Sequence, residues 1–337
     1  MIKSDIDYFR EEDNFLKISQ IDSILVRGES KAKPFITVLI PTYRRPVYLK
    51  QCLDSALSQI NCESISYQII VLDNDPERYC ETENLIASYD DEKLLYYKNQ
   101  VNLEMMGNWN RGVELSQSKW ILLVHDDDLL SPHFLSYCSP YLTGNLAILK
   151  PVSIKFSEEK PEFSMPKINI KKKKITLIDA LWACPIGAPT NIVFNRDSVI
   201  ALGGFNEEHY PASDYVFAAK CADKYPVYKL SASLGGYRVV ANESLKEATM
   251  NLYYTNRYFI SCYIMRRFKF KWSIIELIQS SLIPTTTKAT NSFYGVNHSF
   301  DVEVLELKSQ NAFTRFLVKG AYAIFIKILN VKRRFAS

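Results

Sequence analysis

Trp120-Ile121-Leu122-Leu123-Val124-His125-Asp126-Asp127-Asp128-Leu129-Leu130 is an apolar run that ends in three consecutive carboxylates. Residues 121–124 lack polar alternation and are aliphatic, the pattern of a short strand buried on both faces. The acids therefore stand at its carboxyl end, which in an open α/β sheet is where ligands bind. Carboxylates crowded there repel one another unless a cation joins them. Asp126 and Asp128 are two apart, so an extended backbone points them the same way and lets them share one hard divalent ion. Such an ion keeps positions open for the oxygens of a diphosphate. The plainer alternative is an acidic helix N-terminus, with Ser131 and Pro132 opening the helix.

Upstream of this run strands and helices alternate. Residues 35–40, 67–72 and 94–97 read as strands, and 47–60, 81–89 and 107–115 as helices. That order predicts an α/β fold with a doubly wound, mostly parallel sheet. Loops 41–45, 73–75 and 126–128 then share one ligand edge. No loop contains GxGxxG or GxxxxGK[ST], which excludes a dinucleotide fingerprint and a P-loop, so phosphates are expected to be held through a metal. Phe15, Ile18, Ile21 and Leu25 recur at helical spacing, so residues 1–33 predict one amphipathic helix outside the first strand. The lysine run 171–174 reads as a solvated loop.

With 47% hydrophobic and 13% aromatic residues in 337, the chain can bury a large core and is not disordered. Seven cysteines without a CxxC pair or metal-ligand spacing fit a reducing cytosol. The first twenty residues are acidic and polar, unlike a signal peptide, and no apolar run is long enough to span a bilayer. The net charge of +4 is uneven: residues 251–337 hold 13 Lys and Arg against 4 Asp and Glu, a net +9 that leaves the first 250 residues at −5. In 312–335, Arg315, Lys319, Lys327, Asn330 and Arg334 fall close to helical spacing among Phe313, Phe316, Leu317, Ile324 and Phe325, the pattern of a basic amphipathic helix in a membrane interface. Basic residues interleaved with aliphatics on a helix argue against nucleic acid as a partner.

Four segments, Val38-Leu-Ile-Pro-Thr-Tyr-Arg44, Ile69-Ile-Val-Leu-Asp-Asn74, Asn102 with Asn108-Trp-Asn-Arg-Gly112, and Asp126-Asp-Asp-Leu-Leu-Ser-Pro132, resemble the family 2 glycosyltransferases in type, order and spacing. The resemblance covers roughly residues 35–245 and implies the A-type nucleotide-diphospho-sugar transferase fold. It implies a nucleoside pocket at Pro41, Thr42 and Tyr43, with Asp73 and Asn74 toward the base and ribose. Asn74 departs from the family's usual Asp, and Trp109 from a common Arg, whose phosphate contact falls to Arg44 or Arg111; Asn110 joins the nucleotide-binding set. Asp128 is implied as direct metal ligand for Mn2+ or Mg2+, with Asp126 beside it, and Asp126 and Asp127 serve the ribose and the metal's water shell. His125 reads as a packed strand residue and not a ligand.

Farther on, Ser213-Asp214 opens a helix, which capping alone would explain. In the family this position carries the general base, so Asp214 is the implied catalytic residue, while Glu207 and Glu208 read as loop carboxylates. Arg238 matches a segment that closes over the diphosphate, and is expected to contact phosphate or brace Asp214; the His often found just after it is absent. The expected organisation is an N-terminal helical extension (1–33), a catalytic domain (34–249) and a basic helical tail (250–337). The implied function is inverting transfer from a UDP or dTDP sugar to a lipid-linked glycan, in O-antigen-like polysaccharide synthesis, by a cytoplasmic enzyme peripheral on the inner membrane face. The alternatives are a nucleotidyltransferase, for which the loop 41–46 lacks glycine, and a nucleotide-sugar-binding scaffold without turnover.

Overall fold

The structure is a computed structural model that describes residues 6–29, 33–166, 169–181, 183–240, 245–300 and 310–334. At its centre lie four parallel strands in the order β4 (Leu94–Asn99), β3 (Tyr67–Asp73), β2 (Ile36–Thr42) and β5 (Trp120–Leu123). Helices α1 (Pro46–Leu57), α2 (Glu81–Ala87) and α3 (Glu104–Leu115) connect them, as the alternating pattern predicts. Because side chains alternate along a strand, β2 feeds two cores. Ile36, Val38 and Ile40 pack with Leu49 and Leu53 of α1 on one face, and Leu39 packs with Trp109 and Val113 of α3 on the other.

The other half of the sheet is mixed. After β6 (Leu129–Leu130), α4 (Phe134–Cys138), β7 (Ile148–Phe156) and β8 (Lys172–Ile175), strand β9 (Ile192–Asn195) runs antiparallel between β5 and β7. Helices α5 (Arg196–Ala201) and α6 (Ser213–Lys224) then lead to the long β10 (Val227–Arg238), parallel to β7 and antiparallel to both β6 and β8. The lysine run 171–174 is solvated as expected, but it lies mostly on β8 at the sheet margin and not in a loop.

Among the described residues 6–29 the expected N-terminal helix does not form. Asp7 and Asp13 close turns by accepting from the backbone N–H groups of Phe9 and Phe15, and Asn14 gives both its backbone and side-chain N–H to the Gly203 carbonyl at 2.9 Å. Those donors are therefore drawn out of any helical ladder. The chain then forms β1 (Ser23–Arg27), antiparallel on the outer edge of β4. A Cβ on Gly203, whose φ is +78°, would fall 1.5 Å from the Glu12 carbonyl oxygen, so only glycine permits this close approach.

The tail is helical as expected, in α7 (Glu247–Arg267), α8 (Trp272–Tyr294) and α9 (Ala312–Arg334). The expected boundary at 249/250 cuts α7, and a third core joins tail to catalytic part. Tyr215, Val216 and Ala219 of α6 pack with Ile260, Ile264, Ile275, Leu282 and Tyr322. The Asn256 amide donates to the Tyr210 carbonyl at 2.9 Å and the Ser261 hydroxyl to that of Leu181 at 3.0 Å.

Candidate active site

The parallel register sets Thr42 beside Asp73 and Leu39 beside Leu123, so the expected loops do share one edge. The acidic triplet is a turn there, not an extended segment: the Asp128 N–H donates to the His125 carbonyl at 3.1 Å. This overturns the premise that Asp126 and Asp128 point the same way. The turn instead sets His125 Nδ1 3.6 Å from Asp128 Oδ2, and ligand atoms of His125, Asp127 and Asp128 lie within 4.8 Å of one another. Asp126 is drawn aside, accepting from the Thr42 hydroxyl at 2.7 Å. Asp127, and not Asp126, is thus the carboxylate grouped with Asp128.

Burial raises the acids' affinity for protons. Asp126 is pushed up to about 7 by desolvation and then by the Asp127 charge, against the Thr42 hydrogen bond and the nearby Arg45. Desolvation and Asp127 likewise push Asp128 upward. Asp128 is fully buried; its Oδ1 accepts from the Arg238 N–H at 2.7 Å, and its Oδ2 has no hydrogen-bond partner. A desolvated carboxylate oxygen without a donor, among like charges, fits a divalent cation. Arg45 is a site residue the motifs did not single out: its guanidinium lies 3.1 Å from Asp127 and 3.8 Å from Asp126. The doublet Arg44-Arg45 was the available signal, but a loop charge gives no direction from sequence alone.

Arg238 braces the triplet from within the protein. Its guanidinium donates to the Asp127 carbonyl (2.7 Å), the Ser157 carbonyl (3.2 Å) and Gln51 Oε1 (2.8 Å), between the rings of Tyr48 and Phe156. Several other expected nucleotide contacts are also engaged within the protein. Asp73 accepts from the Tyr96 hydroxyl (2.7 Å), buried Lys98 (3.0 Å) and the Asp75 N–H (3.0 Å). Asn74 donates to Asn102 and the Glu104 carbonyl and accepts from Asn99 and the Leu103 N–H, which fixes the entry to α3. Asn110 clamps the Phe205 N–H and carbonyl, each at 2.8 Å, and Arg111 binds carbonyls of the N-terminal segment. What faces the cleft from these loops is Tyr43, 42% exposed, and Arg44, which pairs with Asp75 at 2.8 Å and lies over the Tyr43 ring; Pro41 is buried in β2.

Asp214 lies in the first turn of α6, but Ala212 holds the N-cap position and no side chain caps the helix. Burial raises the Asp214 carboxyl to about 6, opposed by the Tyr215 N–H and the Cys184 thiol, which donates to Oδ2 at 3.7 Å. Cys184 begins the segment 184–191, whose Thr190 hydroxyl accepts from the His125 N–H at 3.2 Å. One stretch of chain thus touches both the candidate base and the acidic turn. Lys150, which the sequence reading passed over, donates from beneath to the Thr190 carbonyl, and burial lowers its ammonium to about 7. Glu207 accepts from the Met106 N–H at 2.9 Å and Glu208 pairs with Arg10 and Lys17, both from the single 3-10 turn Glu207–His209.

Comparison with known proteins follows the same lines. The profile of glycosyl transferase family 2 matches residues 37–203. A Mycobacterium tuberculosis protein is 25% identical over 58% of this chain, which spans 64% of that relative's length. An uncharacterized glycosyltransferase of Methanocaldococcus jannaschii is 26% identical over 66% of this chain and 78% of its own. Among solved structures, TarS 1-349 of Staphylococcus aureus in complex with UDP-GlcNAc superposes with a TM-score of 0.52 at 15% identity, over 79% of this chain and 94% of that one. The mannosyltransferase PcManGT of Pyrobaculum calidifontis, in complex with GDP-Man and Mn2+, gives 0.53 at 13% identity, over 94% and 93%. These structures share the fold.

Replacing Arg238 leaves the Asp127 carbonyl and Gln51 without their buried donor. Arg238→Met is expected to lower unfolding stability by about 2 kcal/mol in urea melts; a variant as stable as wild type would refute the bracing role.

Proposed function

We propose, from the premise that this chain carries a family 2 glycosyltransferase domain, that it is an inverting, metal-dependent glycosyltransferase. It would move a sugar from a nucleotide-diphosphate donor, UDP- or dTDP-linked, to a hydroxyl of a glycan acceptor. The observation that carries the reading is the buried acidic turn with the unpartnered Asp128 oxygen, joined through residues 184–191 to Asp214. The complexes of TarS with UDP-GlcNAc and of PcManGT with GDP-Man and Mn2+ support the donor class.

In this reading Tyr43 offers its exposed ring to the base, and Arg44 and Arg45 lie in reach of the diphosphate. Asp127 and Asp128 would hold Mn2+ or Mg2+, with Asp126 fixed beside them by Thr42. When bound, the ion supplies the positive charge that stabilises the departing diphosphate. Asp214 takes the acceptor hydroxyl's proton as that oxygen bonds to the anomeric carbon; the bond to the diphosphate breaks on the opposite face, and the electron pair leaves with it. Attack from the far face inverts the configuration.

A lipid-linked acceptor at the inner membrane face, in polysaccharide synthesis, is the extension we propose for the tail. No helix among the described residues is long and apolar enough to cross a membrane. Phe313, Phe316, Leu317 and Ile324 are nevertheless exposed along α9 beside Arg315 and Lys319, while Tyr322 is buried toward the tail core. The full chain is expected to co-sediment with vesicles containing anionic lipid, and the double variant Phe313→Ser, Phe316→Ser to lose most of that binding; equal binding by both would remove the membrane role.

Thermal unfolding with UDP, dTDP, GDP and CDP, each with Mn2+ or with chelator, tests the donor site. A nucleotide at a hundred times its dissociation constant should stabilise by about 2.7 kcal/mol. The expected result is a shift with UDP or dTDP that requires the metal; no shift with any nucleotide overturns the enzyme reading.

Asp214 gives a separate prediction. Its carboxyl at about 6 must be ionised to act as base, so kcat/KM should fall about tenfold per pH unit below that value. The folded-state value lies above the ordinary 3.8, so the group's contribution to stability is full below the unfolded value and is lost as pH rises toward 6. At pH 8, Asp214→Asn should therefore melt at or above the wild-type temperature while transfer drops by about 10²–10⁴-fold. Unchanged transfer would dismiss Asp214 as the base.

A further inference from the structure

We propose that His125 is a direct ligand of the divalent ion, its Nδ1 joining the carboxylates of Asp127 and Asp128. The inference rests on the metal-dependent reading above and goes beyond it by adding a nitrogen to the ligand set.

The geometry comes from the turn. His125 and Asp128 are its first and fourth residues, which brings Nδ1 to 3.6 Å from Oδ2. That separation is too long for a hydrogen bond. Two donor atoms each about 2.1 Å from a shared ion lie roughly 3.0–3.6 Å apart, which matches. The carboxylate oxygen facing the imidazole is wholly buried and has no partner at hydrogen-bond geometry, with the Thr190 hydroxyl the side-chain donor close enough to favour the charged carboxylate. The His125 side chain is 25% exposed. Its Nε2 also lacks a partner, and the ring is steadied by Trp109, with centroids 5.6 Å apart and planes tilted 31°. The backbone N–H is pinned by Thr190. Asp126, the carboxylate that would otherwise complete an all-oxygen set, is held by Thr42 and faces Arg45.

Ligand chemistry agrees with a nitrogen donor. Neutral imidazole is a common ligand of first-row transition ions, whereas Mg2+ prefers oxygen ligands and releases its water reluctantly. A neutral nitrogen adds a donor without adding negative charge to a crowded site.

The test uses the tag-free full chain. Mn2+ and Mg2+ are titrated calorimetrically with and without UDP, and bound Mn2+ is examined by pulsed electron paramagnetic resonance for coupling to ¹⁴N. The expected result is ¹⁴N coupling in the wild type. His125→Phe, which keeps a ring against Trp109, should lose the coupling and weaken Mn2+ about 10–100-fold. Wild-type Mn2+ without ¹⁴N coupling overturns the assignment whether or not the variant folds. Mn2+ binding that Asp128→Asn abolishes and His125→Phe leaves intact overturns the histidine ligand alone, while no binding of either ion to the wild type overturns the metal-dependent reading with it.

Discussion

Three carboxylates packed at the end of a buried strand are the constraint around which this protein is arranged. An ionised carboxylate out of water is costly unless donors or a cation meet it, and each neighbour of the same sign adds to the cost. Thr42 and Arg45 meet Asp126 and Asp127, and the Arg238 N–H meets one oxygen of Asp128. The remaining Asp128 oxygen is left facing His125. The fold therefore holds a charge deficit in one defined place, the condition a metal site needs before any metal arrives.

The antiparallel half of the sheet supplies the frame for that deficit. Strand β6 directly follows the acidic turn and pairs with Gly235 and Gly236, which sets Arg238 beside Asp128. The pairing works because residue 235 has no side chain: a Cβ there would lie 2.3 Å from the Asn191 amide, which itself donates to the Gly236 carbonyl. Asn191 closes the segment that begins at Cys184, so the contact that seats β10 also seats the link between Asp214 and the triplet.

The parallel core was legible because its signals are local. Aliphatic runs of four to seven residues ended by Pro, Asp or Asn mark β2, β3 and β5, and their order fixes which loops meet. The site's directions were not local. Alternation assigned Asp126 and Asp128 to one side, but a single turn hydrogen bond regrouped Asp128 with His125 and Asp127. Asn74 and Asn110 carry the motif, yet their amides are consumed in fixing the entry to α3 and the loop at Phe205, partners 25 to 95 positions away that no spacing rule can reveal. The apolar spacing of 15–25 is helical in sequence, but the Gly203 carbonyl and the open edge of β4 offered the backbone better partners.

The tail shows how a region without motifs can still determine chemistry. Helix α6 presents Asp214 from its first turn, and its outer face contributes Tyr215, Val216 and Ala219 to the core shared with α7, α8 and Tyr322 of α9. The rigidity of the candidate base is thus set by packing against residues beyond 250. Asn256 of α7 also holds the Tyr210 carbonyl, four residues before Asp214, so the loop that leads into the helix is fixed by the same element. A tail that carries exposed Phe313 and Phe316 on one helix and grips the base helix with its neighbours is mechanically continuous with the site. Tyr322 of that same helix lies in the core that seats α6, so the element carrying Asp214 and the tail share one packed core.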